Sequence, residues 1–414
     1  GFNGYSYGVI GYSQWTLGPI IQLASIFGVW GVSALVAFPS AWLAAGLKEC
    51  MGLPFSRWRP SFATFARAHA RSGLLWALAL VMTLAFGLLS RVDTSVYPAA
   101  RVALIQPNSD PWVGGINAYR RDFRTLTRLT DEALARHEGI DLVVWPETAF
   151  IPRIDWHYRY REDRDSFALV SDLLSYIDRQ SVPFVIGNDD AVLGPTDEGL
   201  IDRVDYNAVF LFHPGQNVIP PNPERYRKMH LVPFTEHFPY RDILPWVYDL
   251  LVATDTHFWA PGNDPVVFHA GQLSFSSPIC FEDTFGYISR RFVNGGARAI
   301  VNLTNDAWAK SAPSQFQHLS MSVFRAVENR VPLVRSTASG QTVSVDPNGK
   351  VLEMAPSFKE SFIVVDVPII GNPPMTGYRL WGDVWGIAFA VSAVLLVMVS
   401  IAELSGLLTK FRDM

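Results

Sequence analysis

Three long apolar runs constrain the fold of this chain more than any other feature of its sequence. Val384–Ala402 contains no charged residue, and a helix of that length crosses a bilayer at about 1.5 Å of rise per residue. Ile20–Leu47 is longer, and Gly73–Ser90 has no polar face, which disfavours a buried helix of a soluble domain. Only 17% of the residues are charged, against roughly 25% in an average soluble protein. We therefore predict three transmembrane helices, at about residues 20–47, 73–90 and 384–402.

The distribution of basic residues predicts the orientation of these helices. The connection between the first two has one acidic residue, Glu49, and several basic ones: Lys48, Arg57, Arg59, Arg67 and Arg71. The tail after the last helix carries Lys410 and Arg412. Because basic loops stay in the cytoplasm, residues 93–377 are expected on the outer side of the membrane, between membrane regions at 1–92 and 378–414. Cys50 and Cys280 then lie in different compartments and cannot form a disulfide.

The segment between the second and third apolar runs alternates short apolar stretches with helical patterns. The stretches of strand length are Arg101–Gln106, Asp141–Pro146, Pro183–Gly187, Asn207–His213 and Ala299–Asp306. Helices are predicted at 117–137, 164–180 and 315–330, and Asp346–Gly349 predicts a turn. Strands that alternate with helices indicate an α/β domain whose sheets are covered by helices. The net charge of -4 gives no reason to expect nucleic acid as a partner.

Three polar residues lie at the ends of short apolar stretches, where loops commonly build a pocket. They are Glu147, Lys228 and Cys280. Each has a simpler interpretation by itself. The glutamate could cap a helix or be solvated, the lysine could belong to a solvated basic cluster, and the cysteine could be inert core packing.

Together these residues form a set that acyl-transfer chemistry can use. A carboxylate within hydrogen-bond reach accepts the proton of a thiol, and the resulting thiolate is the nucleophile. A nearby ammonium group stabilises the thiolate and also the oxyanion that forms on the attacked carbonyl. The backbone N–H of Phe281 is a candidate second donor to that oxyanion. Glu147, Lys228 and Cys280 are therefore candidates for one active site.

The segments that hold these residues resemble the signature segments of the nitrilase superfamily. They are WPETAF, YRKMHLVPFTEHFP and CFEDTFG, in that order. With the flanking apolar runs, the segments GYSQW, QPNSDPW, NLTNDAWAKSAPSQFQH and RSTASG are similar to those of the apolipoprotein N-acyltransferases, a membrane-anchored family of that superfamily. The resemblance covers nearly the whole chain. It implies a nitrilase-like αββα sandwich, at about residues 93–377, inserted between transmembrane helices.

The resemblance implies a role for each matching residue. Glu147 is the expected general base, Lys228 the oxyanion-stabilising lysine and Cys280 the nucleophile. The expected supporting residues follow the family's lysine and cysteine in the sequence: Glu236, Phe281 and Glu282.

The chain also departs from the family pattern. Phe281 stands where tyrosine is common, which removes a hydroxyl, and Thr235 stands where glycine is common. Family members usually have further helices before the first one predicted here. Because this chain begins with glycine, we expect upstream sequence, including such helices, to be absent from it.

The implied activity is a two-step acyl transfer. The acyl chain would move from a phospholipid, through a thioester on Cys280, to the α-amine of the N-terminal diacylglyceryl-cysteine of an apolipoprotein. No cofactor is implied, and no metal is expected, because His230 and His237 share one motif without metal-ligand spacing. The expected location is the bacterial inner membrane, with the catalytic domain on the periplasmic side and the protein as a monomer.

Two other functions stay open at this point. A membrane-anchored amidase or nitrilase would use the same three residues with water as the acceptor. A membrane-tethered binding module on a degenerate nitrilase fold would lack at least one of them, and all three are present. Three aromatic residues, Trp259, Phe285 and Trp308, would either face acyl chains or belong to the core.

Overall fold

The computed structural model describes residues 6–51, 55–110, 114–195, 201–254 and 256–404. Trp112 of the QPNSDPW segment and the tail residues Lys410 and Arg412 lie outside this range. The helices are α1 (Gly18–Ile21), α2 (Ala24–Lys48), α3 (Phe55–Ala68), α4 (Ala70–Leu89), α5 (Gly115–Arg136), α6 (Ile154–Tyr160), α7 (Arg164–Asp178), α8 (Pro245–Ala253), α9 (Gly286–Asn294), α10 (Ala312–Asn329), α11 (Gly377–Trp381) and α12 (Val384–Leu404). The strands are β1 (Ala99–Gln106), β2 (Leu142–Val144), β3 (Phe184–Pro195), β4 (Ile201–Phe212), β5 (Glu224–Arg227), β6 (Phe268–Ala270), β7 (Leu273–Ser276), β8 (Ala299–Thr304), β9 (Leu333–Thr337), β10 (Val343–Val345), β11 (Val351–Met354) and β12 (Ser361–Pro368).

The chain divides into two compact units. One is formed by Gly1–Gly8 and Val92–Pro374, and the other by Val9–Arg91 and Met375–Met414. Within the described residues of the second unit, α2, α4 and the Val384–Ala402 part of α12 are long and apolar enough to cross a membrane. These helices overlap the three predicted apolar runs, with ends that differ by a few residues.

The sequence predicted one uninterrupted helix for the first apolar run, but the structure has two. α1 ends at Ile21 and α2 begins at Ala24. Within α2, Gly28 has φ 65° and ψ -171°. A Cβ at this position would lie 2.8 Å from the ring of Tyr378. The positive φ and the close ring contact both favour glycine here, and hydropathy alone does not reveal either of them.

The basic connection between the first two runs contains a helix, α3, that the sequence analysis did not predict. Its Phe62 and Phe65 pack against Trp42 of α2, with ring centroids 6.1 and 5.3 Å apart. Apolar residues three or four positions apart are the signal for such a helix. Pro60 inside the helix and the neighbouring arginines obscured this pattern.

The first unit contains two six-stranded sheets. The first sheet has the order β12-β1-β2-β3-β4-β5, and the second has the order β11-β10-β9-β8-β7-β6. The central strands of each sheet are parallel. In the first sheet β2 pairs with β1 and β3, and in the second sheet β8 pairs with β7 and β9. The outer strands pair antiparallel to these. The same strand pattern therefore occurs twice.

Side chains that alternate along β1 show how the layers are arranged. Val102 belongs to a core cluster that also contains Phe275 of the second sheet. Ala103 belongs to another cluster, together with Leu126 of α5 and Leu173 of α7. Since successive residues of a strand point to opposite faces, the first sheet lies between the second sheet and its own helices. α9 and α10 pack on the second sheet through β7 and β9. The predicted αββα sandwich is confirmed.

The hairpin of β3 and β4 extends well beyond the two stretches predicted there, to 12 residues in each strand. The extension carries acidic residues outside the two predicted stretches. They are paired with arginines in the structure: Asp190 lies 2.6 Å from Arg227, and Asp205 lies 2.8 Å from Arg153. The predicted helices at 117–137, 164–180 and 315–330 correspond to α5, α7 and α10.

Gly187 allows β3 to pack closely against the segment that contains Pro146 and Glu147. A Cβ there would lie 2.5 Å from the backbone oxygen of Pro146 and 2.6 Å from the Cα of Glu147. Because backbone atoms cannot move aside cheaply, we expect Gly187→Ala to lower the free energy of unfolding by about 1–3 kcal/mol. Gly371→Ala is the matched control, since a Cβ at Gly371 meets nothing within 4 Å. Thermal unfolding of both variants is the measurement, and equal stability would contradict the expectation.

Candidate active site

The three predicted catalytic residues lie just beyond the ends of strands in two facing sheets. Glu147 follows β2 and Lys228 follows β5, both in the first sheet. Cys280 follows β7 of the second sheet and begins a 3-10 turn, Cys280–Thr284. The site is thus built from both sheets of the sandwich, and the packing of the sheets against each other determines its geometry.

Lys228 is fully buried and contacts two glutamates. Its Nζ lies 2.7 Å from Oε1 of Glu236 and 3.4 Å from Oε1 of Glu147. The Glu147 carboxylate also accepts hydrogen bonds from Nδ2 of Asn207 and from the backbone N–H of Asn305, each at 2.8 Å. A buried ammonium group is costly unless it is paired. Glu236 is the closer partner of the lysine, and the two asparagines orient the other glutamate.

Burial and the neighbouring charges determine the protonation of these groups. Burial raises the pKa of the Glu147 carboxyl, Lys228 lowers it, and Glu236 raises it further, with a net increase. Burial lowers the pKa of Lys228, but the carboxylates of Glu236 and Glu147 outweigh that effect and place the pKa above its ordinary value. The lysine is therefore charged, and Glu147 is a stronger base than a solvated carboxylate.

Cys280 has an unusual backbone conformation and a thiol coupled to both of the other residues. Its φ of 47° lies in the left-handed region, which residues with a Cβ rarely adopt. Burial raises the pKa of the thiol well above its ordinary value, Glu147 raises it further, and Lys228 lowers it. The side chain is only partly exposed. At neutral pH the thiol is protonated, so it needs a base before it can attack a carbonyl.

Glu282 connects the segment after the lysine to the turn that contains the cysteine. Its Oε1 accepts hydrogen bonds from the backbone N–H groups of Met229 at 2.8 Å and His230 at 3.0 Å. Its Oε2 accepts one from the N–H of Ile279 at 2.8 Å, and the Tyr226 hydroxyl donates to the same carboxylate. Burial raises the pKa of Glu282 to about 6, although these hydrogen bonds oppose the rise. The carboxylate therefore joins two catalytic segments.

The aromatic residues considered in the sequence analysis occupy different environments. Phe281 is buried, and its ring lies 4.9 Å from that of Phe285 and 5.8 Å from that of His230. Trp259 is buried, whereas Trp308 is 64% exposed. Phe285 is half-buried in the aromatic group beside the cysteine turn. Of Trp259, Phe285 and Trp308, which were expected either to face acyl chains or to belong to the core, Trp308 is the most exposed.

The structure describes both histidines of the lysine motif, His230 and His237. Among the described residues, no group of three or more His, Cys, Asp or Glu side chains is arranged to hold a metal ion. The Nδ1 atom of His230 lies 2.7 Å from the hydroxyl of Tyr287. Burial lowers the pKa of His230 to about 4, so this ring is neutral.

Sequence reasoning missed several polar residues that support the site. Asn207 and Asn305 orient Glu147, and His318 lies between Asp283 and Asp306 at 3.0 and 2.9 Å. Asn305 and Asp306 come directly after the buried strand β8, which is the same signal that identified Glu147. The partners of Asn207 and His318 depend on contacts between distant segments, and spacing along the chain does not reveal them.

Comparisons with known proteins identify the family. Residues 101–369 match the carbon-nitrogen hydrolase family. Apolipoprotein N-acyltransferase 1 of Treponema pallidum is 52% identical over 399 residues, covering 96% of this chain and 73% of that protein. The chain belongs to the apolipoprotein N-acyltransferase family. The apolipoprotein N-acyltransferase of Geobacter metallireducens is 32% identical over 94% of this chain and 69% of its own. The family resemblance stated from the signature segments is confirmed.

Two solved structures illustrate what this chain is similar to outside its own family. Nit3 of Saccharomyces cerevisiae, from branch 10 of the superfamily, is 18% identical with a TM-score of 0.45, over 67% of this chain and 92% of that chain. An amidase from Nesterenkonia sp. is also 18% identical, with a TM-score of 0.44 over 67% of this chain and 95% of that chain. The family membership and the three apolar helices together indicate a membrane protein.

We expect Glu282→Gln to destabilise the site more than a change of one exposed glutamate. The amide group would present donors to N–H and O–H groups that already donate to the carboxylate. Loss of these charge-assisted hydrogen bonds should lower the free energy of unfolding by about 3 kcal/mol. Glu353→Gln, at an exposed position of β11, is the matched control and should change stability by less than about 0.5 kcal/mol. Chemical unfolding of both variants is the measurement; similar values would contradict a structural role for Glu282.

Proposed function

We propose that this chain transfers an acyl group from a phospholipid to the α-amine of the N-terminal diacylglyceryl-cysteine of an apolipoprotein, through a thioester on Cys280. The observation that carries the proposal is the buried Lys228, which lies 3.4 Å from Glu147, while Glu282 joins the segment after this lysine to the turn that begins with Cys280. The family membership of the chain supports the acyl transfer. The three apolar helices support lipid substrates, because a soluble amidase has no need of them.

In the first half-reaction, Glu147 accepts the proton of Cys280 and the sulfur attacks the carbonyl carbon of the acyl ester. A carbon–sulfur bond forms, and the carbonyl electrons move to its oxygen. Lys228 stabilises this oxyanion, with the backbone N–H of Phe281 as a second donor. The ester carbon–oxygen bond then breaks, and the leaving lysophospholipid oxygen takes the proton from Glu147.

In the second half-reaction, the free α-amine of the apolipoprotein attacks the thioester. A carbon–nitrogen bond forms, the carbon–sulfur bond breaks, and Glu147 moves a proton from the amine to the sulfur. Thioesters react more readily with amines than oxygen esters do, so the acyl-enzyme favours this step. Glu236 pairs with Lys228 at 2.7 Å, and this supports a lysine that stays charged during both steps. The order of the two half-reactions makes the mechanism ping-pong.

The proposal also includes the location of the reaction. The basic residues between the first and second apolar runs support a cytoplasmic connection there, with a catalytic domain at about residues 93–377 on the periplasmic side of the bacterial inner membrane. The site must also exclude water from the thioester, because hydrolysis of the acyl-enzyme would release a fatty acid and make the enzyme a phospholipase. We propose that the protein acts as a monomer.

Cys280→Ser tests the nucleophile directly. We expect transfer to a diacylated lipopeptide to fall by roughly a thousandfold or more, since an unactivated hydroxyl is a poor replacement for the thiol. With labelled phospholipid, mass spectrometry should find the acyl group on the Cys280 peptide of the wild type and of Cys50→Ser, the matched control. Retained transfer by Cys280→Ser would exclude this cysteine as nucleophile. Release of ammonia from amide substrates, without lipopeptide acylation, would favour the amidase alternative.

Lys228→Met tests the stabilisation of the oxyanion. We expect kcat to fall by about a hundredfold or more, while phospholipid binding changes little. Lys350→Met, at an exposed position beside β11, is the matched control and should leave kcat unchanged. Thermal unfolding must first show that the variant is folded, because the change leaves the buried Glu147 and the partly buried Glu236 without their cation. An unchanged kcat in the folded variant would refute the role of Lys228.

A further inference from the structure

A buried cluster of charged residues lies beside the proposed catalytic residues, and the chemistry above does not use it. His318 of α10 is in contact with two carboxylates: its Nε2 lies 3.0 Å from Asp283, and its Nδ1 lies 2.9 Å from Asp306. Arg335 of β9 lies 3.0 Å from Asp306 and 3.7 Å from Asp283. All four side chains are buried. We call these four residues the histidine cluster.

The two carboxylates of the histidine cluster belong to the two segments that position the catalytic residues. Asp283 lies in the 3-10 turn that begins with Cys280. Asp306 directly follows the residue whose backbone N–H donates to Oε2 of Glu147. Through its two ring nitrogens, His318 therefore connects the segment of the nucleophile to the segment that holds the base.

The charges of the histidine cluster balance only when His318 is protonated. Two carboxylates, one guanidinium and one imidazolium sum to zero, whereas a neutral ring would leave one negative charge buried. A neutral ring could accept a hydrogen bond from Nη2 of Arg335, which lies 2.7 Å from Nδ1. That arrangement would place the Nδ1 lone pair against an oxygen of Asp306 at 2.9 Å. Contact with two carboxylates and the charge balance favour the protonated ring.

The net effect of the groups near the ring favours a charged His318. Burial and Arg335 lower its pKa, but Asp306 and Asp283 outweigh them and raise it to about 9. Tyr7 faces the ring from the 3-10 turn Ser6–Gly8, with ring centroids 6.5 Å apart. The cluster also influences the nucleophile, because Asp306 raises the pKa of the Cys280 thiol.

We propose that His318 is a positioning residue for the acyl transfer: its protonated ring holds the turn of Cys280 against the segment of Glu147 and balances the carboxylates beside the thiol. The role of the ring in transfer rests on the proposed function. Its effect on the reactivity of the thiol does not, because alkylation of Cys280 requires neither lipid nor apolipoprotein.

The experiment compares His318→Gln, Asp283→Asn and the double variant, all in the Cys50→Ser background of the full chain. Alkylation of the Cys280 peptide by iodoacetamide is followed by mass spectrometry from pH 6 to pH 10. His318→Gln removes a positive charge, so at pH 7.5 we expect alkylation to slow by roughly threefold or more. Asp283→Asn removes a negative charge and should accelerate it. The double variant restores the balance and should return to within about twofold of the parent.

The pH dependence has a definite sign. The ring of His318 is charged at neutral pH and loses its proton as the pH rises through about 9. The parent and His318→Gln should therefore differ most below that pH and converge above it. In lipopeptide acylation, His318→Gln should lower kcat by about tenfold or more, while KM for phospholipid stays within about twofold.

His269→Gln is the matched control, because this histidine is exposed on β6 and should match the parent in every measurement. The proposal is overturned if His318→Gln behaves like this control, or if it slows alkylation without recovery in the double variant, as a purely structural role would require. If His318→Gln does not fold, Asp283→Asn decides by itself: a slower or unchanged rate of alkylation refutes the charge balance. Retained transfer by Cys280→Ser would instead refute the proposed function and leave the alkylation result standing.

Discussion

The burial of one ammonium group is the constraint on which the rest of this site depends. Lys228 has no exposed surface, and a buried cation without partners would cost several kcal/mol. Two carboxylates pair with the buried ammonium group at different distances: Glu236 lies 2.7 Å from the lysine and Glu147 lies 3.4 Å from it. The closer glutamate largely neutralises the lysine. The more distant one keeps a raised pKa and is able to take up a proton.

Backbone strain occurs next to each of the proposed catalytic segments. Cys280, Thr148 and Phe234 have φ values of 47°, 48° and 67°, although each has a Cβ. Thr148 follows the proposed base, and Phe234 lies two residues before Glu236. Such conformations cost about 1–3 kcal/mol each and persist only where the surroundings hold them in place. The hydrogen bonds accepted by Glu282 are one such support.

Residues could be predicted from the sequence where their immediate neighbours along the chain indicate their position. Glu147 and Cys280 follow short apolar stretches and Lys228 precedes one, and the apolar helices show their character in composition alone. The proposed roles of the three residues stay predictions. The long β3–β4 hairpin was underestimated because Asp190 reads as a loop residue until its arginine partners are known. Asp306 has the same local signal as Glu147, but the histidine cluster was missed because its contacts join segments that meet only in the folded sandwich.

The pairing of β1 with β12 has a consequence for how such a domain is built into a longer chain. The strands run antiparallel, with Ala99 opposite Pro368, so the first and last strands of the sandwich are neighbours in one sheet. The polypeptide therefore enters and leaves the sandwich at neighbouring positions of the same sheet. A longer protein that contains this sandwich therefore has to bring its two flanking segments together at one edge of a single sheet.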